Sequence, residues 1–280
     1  MAHKLLRKLI RLPYIGRLIL MYQRSKYPLK QYLVKGRVMV KWLIHSKEIT
    51  NYTYDLTPLN KTHLAATLAE VLSRPYSEVW GFITELEADT DLALHISDAT
   101  EKNEHSFVAD KNVKFGRRLG WYVIARVIKP QVIVETGVDK GLGACILAAA
   151  LKRNKADGFP GYYYGTDIYP KAGYLLSGKY ADFGTVLYGD SLETLKAFEK
   201  TIDMFINDSD HSPSYEIQEY NAIKKNIRAK SVILSDNSQS TNELLNYSLQ
   251  TNRNFLYFQE KPLDHWYNGA GIGISFKRNH

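Results

Sequence analysis

The sequence predicts an α/β fold: a doubly wound sheet of seven strands whose last two form an antiparallel hairpin, plus a helical N-terminal extension. Two observations carry this. From residue 131 onward, apolar runs of strand length alternate with helix-length amphipathic stretches, as parallel βαβ units do. The last two apolar runs are joined by a segment with no helical period, which is too short for a crossover and leaves a hairpin. Three regions follow: a basic amphipathic arm over 1–48, a helical cap or substrate region over 49–130, and the α/β domain over 131–280.

The arm differs from the rest in charge. Residues 1–48 carry twelve Lys and Arg against one acid, Glu48, and the whole chain nets +8, so residues 49–280 net −3. The positive charge belongs to the arm, and nucleic acid is not an expected partner of the body of the protein. Leu5, Leu6, Leu9, Ile10 and Leu12 share one helical face with Lys4, Arg7, Lys8 and Arg11 opposite, until Pro13 and Gly16 interrupt. Apolar groups at Leu18–Tyr22 and Val38–Ile44 are again laced with Lys and Arg. No run reaches the ~20 apolar residues of a bilayer span, and Arg11 and Arg17 break any signal-peptide core. Two readings stay open: a segment lying on an anionic membrane, or an arm packed on its own domain or on a second subunit, as in a homodimer. The expected location is cytoplasmic, with peripheral contact to the inner face of the membrane under the first reading. A single Cys145 excludes an intramolecular disulfide framework and a cysteine-based zinc site; it reads as a packing residue.

Residues 49–130 read as mostly helical. Thr57-Pro58 opens a helix with Leu64, Leu68, Val71 and Leu72 inward. Glu78–Ala88 and Lys114–Ile128 are two more, and Asp98–Asp110 reads as a polar loop. The expected strands are Gln131–Glu135, Tyr162–Thr166, Thr185–Tyr188, Ile202–Asn207, Ser231–Ser235, Asn254–Gln259 and Gly271–Phe276.

In an open α/β sheet, ligands bind beyond the carboxyl ends of the strands. The first strand ends at Glu135 and runs into a turn carrying Gly137, Gly141 and Gly143 before a helix begins. The second ends at Thr166-Asp167, where an acid suits ribose hydroxyls, and the third at Gly189-Asp190-Ser191. Taken alone, Asp167 and Asp190 are equally ordinary turn or cap residues. The glycine spacing is not the G-x-G-x-x-G of a dinucleotide site, which argues against a nicotinamide oxidoreductase. Glu135 with Gly137, Gly141 and Gly143 resembles motif I of the class I S-adenosylmethionine-dependent methyltransferases. That resemblance implies a Rossmann-like sheet and S-adenosylmethionine as cofactor, with Glu135, Gly137, Gly141, Gly143, Asp167, Asp190 and Ser191 around it.

The fourth strand leads into Asp208-Ser209-Asp210-His211 and the fifth into Asp236-Asn237. Adjacent parallel strands would set these ends side by side, offering hard oxygen ligands to a magnesium ion. The pattern resembles metal-dependent O-methyltransferases of the catechol and macrolide-sugar types. It implies Asp208, Asp236 and Asn237 as metal ligands, Mg²⁺ as a second cofactor and His211 as general base. Because Asn207 precedes Asp208, a strand ending one residue early would put Asp210 in its place. Asp210 as a helix cap and Asp236-Asn237 as a plain turn are the structural alternatives. His265, Trp266 and Tyr267, in the last hairpin loop, read either as substrate contacts or as an aromatic plug.

The expected activity is transfer of a methyl group to a hydroxyl of a small-molecule or glycan acceptor: a sugar, a glycolipid or a secondary metabolite. The competing class is a non-catalytic binding or scaffold protein on the same fold, attached to a membrane surface by its arm.

Overall fold

The structure, a computed structural model, describes residue 6, residues 9–50 and residues 52–277. Lys4, Leu5, Arg7 and Lys8 of the expected N-terminal face lie outside the described residues. The chain divides into two units: residues up to 47 with 264–267, and residues 48–263 with 268 onward.

The first unit is built on one long helix, α1 (Ile15–His45). Leu, Met, Lys, Arg and Gln supply about half of the helix, and Pro28 is accommodated inside it. The ring of Trp42 meets His265 at 5.9 Å and Trp266 at 5.4 Å, both edge-on. Of the two readings of the 265–267 loop, this is the aromatic plug.

The second unit opens with α2 (Pro58–Leu72), α3 (Tyr76–Glu87), α4 (Thr90–Lys102) and α5 (Arg118–Ile128). Thr57 caps α2 by accepting from the Asn60 N–H, with Pro58 at the first helical position. The expected polar loop at 98–110 is helical as far as Lys102. Asp89 caps α4 by accepting from the Leu92 N–H at 2.9 Å, and Leu92, Ile96 and Thr100 are buried at helical spacing.

Seven strands follow: β1 (Val132–Thr136), β2 (Tyr162–Asp167), β3 (Gly184–Tyr188), β4 (Ile202–Asn207), β5 (Ile227–Ser235), β6 (Asn254–Phe258) and β7 (Ile272–Phe276). Their order is β3-β2-β1-β4-β5-β7-β6. All pairs from β3 to β5 are parallel, and β7 is antiparallel to both β5 and β6, so the doubly wound sheet with its closing hairpin is as expected. The connecting helices are α6 (Leu142–Ala156), α7 (Ser191–Ala197), α8 (Pro213–Ile223) and α9 (Glu243–Gln250). Val134, Phe205 and Ile233 from three central strands bury against Tyr220, Ile223 and Leu244 of α8 and α9. Each such side chain withdrawn from water contributes about 1.5–3 kcal/mol.

Register places the site. Thr136 pairs with Thr166 on one side and Asn207 on the other, and Asn207 pairs with Ser235. The carboxyl ends of β1, β2, β4 and β5 are therefore level, and the residues after them share one rim. The helical extension is tied to the hairpin side: the Asn60 Nδ2 donates to the Gln259 carbonyl, and Tyr54 donates to Glu260 at 2.7 Å.

Candidate active site

The glycine turn after β1 is fixed by its own packing. Gly137 has φ 81°, and a Cβ there would lie 2.0 Å from the Asp208 carbonyl oxygen. Gly141 has φ 91°, and its Cβ would lie 2.8 Å from the Gly173 Cα; a Cβ on Gly143 would lie 2.7 Å from Glu135 Oε1. Left-handed backbone and close approach both demand glycine here. A Cβ at any of the three would meet the chain itself, and Gly137 also lines the cavity at the strand ends.

Asp167, at the end of β2, clamps this turn. Its Oδ2 accepts from the N–H groups of Val138 (3.0 Å) and Asp139 (2.9 Å), and its Oδ1 accepts from Tyr169 N–H at 2.8 Å. A carboxylate has about four acceptor positions, so one is left for a ligand. Asp167 also faces a cavity of about 440 Å³ that Gly137, Asp190 and Ser191 line as well. Sequence reasoning missed three of its other walls, Ile168, Ser209 and Tyr215. Ile168 is 80% exposed, an apolar side chain held at the rim of a polar cavity. No periodicity could have marked it, because it lies in a loop.

Glu135 lies beneath the turn and does not line that cavity. It is buried and accepts from the Tyr163 hydroxyl at 2.7 Å. Burial pushes its carboxyl up to about 7, against the pull of Tyr163 and of Arg118 and Arg117. Asp190 caps α7, accepting from the N–H of Leu192 at 2.7 Å, and it also accepts from the Tyr215 hydroxyl at 3.2 Å. Ser191 is buried and donates to Glu219.

Glu219, on α8, is a hub the sequence did not reveal. Besides Ser191 it accepts from Thr136 Oγ1 (3.0 Å), Ser209 Oγ (2.8 Å) and Asn207 Nδ2. Four donors fill a carboxylate's acceptor positions, so Glu219 acts as acceptor alone. That fixes a chain of amide orientations. Asn207 turns its Nδ2 to Glu219 and its Oδ1 to Asn237, whose Nδ2 donates to it at 3.1 Å. Asn237 must then present Oδ1 to His211, and the His211 Nδ1 carries the proton. His211 Nε2 is left as an acceptor on an exposed ring.

Beside this chain stand Asp208 and Asp236. β4 ends at Asn207 and Asp208 follows it directly, so Asp208 is the residue that meets Asp236; Asp210 is exposed and accepts from the Ser212 N–H instead. The two carboxyls lie close enough to act on each other. Burial pushes both above the usual carboxylate range, while the charge of Arg117 pulls them down. Arg117 pairs with Asp236: its Nη2 donates to Oδ2 at 2.6 Å, and its Nε lies 2.5 Å from Oδ1 without hydrogen-bond geometry. Its Nη1 lies 3.6 Å from Glu260. The next residue, Arg118, adds its charge to Glu135, Asp208 and Asp236, and its Nε is buried without a hydrogen-bond partner among the described residues. Both arginines precede β1 in a segment whose sequence reads only as the start of a helix.

Strand order, the cavity at the strand ends and the placement of these acids agree with what residues 134–238 match: a family described as a methyltransferase domain. This segment is a methyltransferase domain. No curated protein matches the chain. Among solved structures it is similar to a methyltransferase from Podospora anserina bound to S-adenosylhomocysteine, at 15% identity over 68% of this chain and 88% of that one, with a TM-score of 0.48. It is also similar to the O-methyltransferase TomG from Streptomyces achromogenes, at 14% identity over 66% and 90%, with a TM-score of 0.47. A methyltransferase from Geobacter sulfurreducens aligns at 15% identity over 72% and 98%, with a TM-score of 0.48.

The residues at the strand ends fit S-adenosylmethionine. The 440 Å³ cavity is within the range of small-ligand sites, and it offers the carboxylates of Asp167 and Asp190 beside the apolar Ile168. The donor set expected for Mg²⁺ does not fit that ion. The oxygens of Asp236 face Arg117, Asn237 Oδ1 meets His211, and Asp208 lies close to Asp236. Among the described residues no group of three His, Cys, Asp or Glu side chains is arranged to hold a metal. Arg117 already engages the carboxyl of Asp236.

Proposed function

We propose that the methyltransferase acts on oxygen: it transfers the methyl group to a hydroxyl of a small acceptor such as a sugar, a glycolipid or a secondary metabolite, with His211 as general base. The observation that carries this is the run Glu219–Asn207–Asn237–His211, which holds the imidazole as the Nδ1–H tautomer with Nε2 open. An alcohol is a poor nucleophile until its proton is removed, and an amine would need no base held this way. S-adenosylmethionine, when bound, supplies an electrophilic methyl group and a neutral leaving group. The protein's own part is to orient the hydroxyl and accept its proton at His211 Nε2, which is typically worth about 10²–10⁴-fold in rate. Holding the two reactants in line supplies a further share.

Asp167 and Asp190 are the proposed contacts to the polar parts of the donor, with Ile168 and Tyr215 against its flat ring. Gly137, Gly141 and Gly143 shape the turn, and Glu135 braces it from below. Arg118, with an open donor beside three carboxylates, is the proposed partner of the carboxylate of the donor. No step is assigned to a metal ion.

The test is a screen of hydroxylated acceptors with radiolabelled methyl donor, run with wild type and H211A, each first titrated calorimetrically with S-adenosylhomocysteine. The proposal expects both to bind the product and only wild type to turn over at full rate. An H211A variant that retains wild-type turnover removes His211 from the reaction.

A further inference from the structure

The helix α1 presents a surface that the methyltransferase reaction does not use. On a 100° step, Leu18, Met21, Leu29, Tyr32, Met39 and Leu43 fall within an arc of about 120°, and no charged residue of α1 falls inside it. These side chains are open to solvent, from 44% exposure at Met39 to 75% at Tyr32. Lys26 and Arg37 flank the arc on one side and Arg17, Arg24 and Lys35 on the other, with Lys30 and Lys41 further round the helix. Residues 1–47 contain no acid at all. Trp42, which packs on His265 and Trp266, lies outside the arc.

We propose that α1 lies along the surface of an anionic membrane, with the apolar stripe in the boundary between headgroups and acyl chains and the two cationic rows among the lipid phosphates. Charge complementarity selects this occupant. An apolar stripe alone would suit a second copy of the helix, but two copies would bring like-charged rows together with no acid to relieve them. Lysine and arginine on both sides of a stripe instead bury their methylene stems and extend their charged ends to phosphate. The helix is 31 residues long, roughly 46 Å at 1.5 Å per residue, and it contacts a surface along that whole length. It is not apolar enough to cross a bilayer. Tyr32 also suits the interfacial layer, where an aromatic ring with a polar end is favoured.

The experiment is co-sedimentation of the full-length protein with vesicles of phosphatidylcholine alone or mixed with phosphatidylglycerol. The proposal expects binding at least about tenfold tighter to the mixed vesicles, weakened by raised salt. It expects that binding to be lost in a stripe variant (L29E with L43E) and reduced in an edge variant (R24E with R37E). All four positions are exposed, so folding should survive. An unchanged far-ultraviolet spectrum and unchanged S-adenosylhomocysteine affinity will confirm that, independently of any acceptor. Absence of vesicle binding by wild type overturns the proposal. So does binding indifferent to lipid charge. So does a wild-type dimer in sedimentation equilibrium that the stripe variant dissolves, because the stripe would then be an interface between copies.

Discussion

Replacing Arg117 by methionine tests the inner electrostatics of the site most directly. The arginine side chain is 12% exposed and that of Asp236 8%, so neither charge is well solvated. Removing one partner of a buried pair leaves the other uncompensated and costs about 3–5 kcal/mol. For a domain of this size, each kcal/mol moves Tm by about 2–4 °C, so the expected loss is roughly 6–20 °C near neutral pH. The penalty should depend on pH in a defined direction. Asp208 and Asp236 both have folded-state values raised by burial, so their contribution to stability is complete below the unfolded carboxylate range and falls as pH rises through the folded values. Without Arg117 the pull downward is gone and the folded values rise further, so R117M should lose more stability relative to wild type at pH 8 than at pH 5. Thermal melts at both pH values measure this. A deficit of the same size at both would refute the reasoning. The same variant frees the oxygens of Asp236, so Mn²⁺ paramagnetic resonance should detect a bound ion in R117M and none in wild type. A stoichiometric Mn²⁺ site in wild type would show that the guanidinium on Asp236 does not exclude the cation.

H211A should lower turnover about 10²–10⁴-fold while leaving S-adenosylhomocysteine affinity within twofold of wild type, as read by calorimetry. G137A should lose donor binding and stability together, because its Cβ would meet the Asp208 carbonyl at 2.0 Å in a left-handed backbone; a melt and donor affinity matching wild type would contradict this. Glu135 is pushed up to about 7, so its contribution to stability is present below the usual glutamate value and is lost, by about 3 kcal/mol, as pH rises to 7 and beyond. E135Q, which stays neutral, should flatten that slope in denaturant titrations between pH 4 and 8.

How much was legible in the sequence follows from the range of each interaction. Strand runs such as Ile202–Asn207 alternate with helix-length stretches, and that pattern alone implied the parallel order, the closing hairpin and the level strand ends. The expected strands agree with those found to within a few residues, because burial on both faces of a central strand leaves few polar positions to blur it. The helix at Thr90–Lys102 was only partly legible, since its polar face dominates the count of residues while its buried face consists of Leu92, Ile96 and Thr100. For the site, the sequence brought Asp208, Asp236, Asn237 and His211 to adjacent strand ends. It could not say what each would bond to. Those partners lie far along the chain: Arg117 is 119 residues before Asp236, and Tyr54 is 206 before Glu260.

The sequence by itself therefore determined the fold, the rim on which the chemistry sits and the charge difference between arm and body. These follow from local period, glycine spacing and composition, all written within a few residues of each other. Only the tertiary structure decided which parts of the chain crowd the glycines, that Glu135 is a buried brace, that Glu219 orients His211 through two asparagines, and that Arg117 holds Asp236. Each of these is a hydrogen bond or an ion pair between distant segments. Its existence depends on where the register of β1, β4 and β5 sets the strand ends, and no local pattern encodes that.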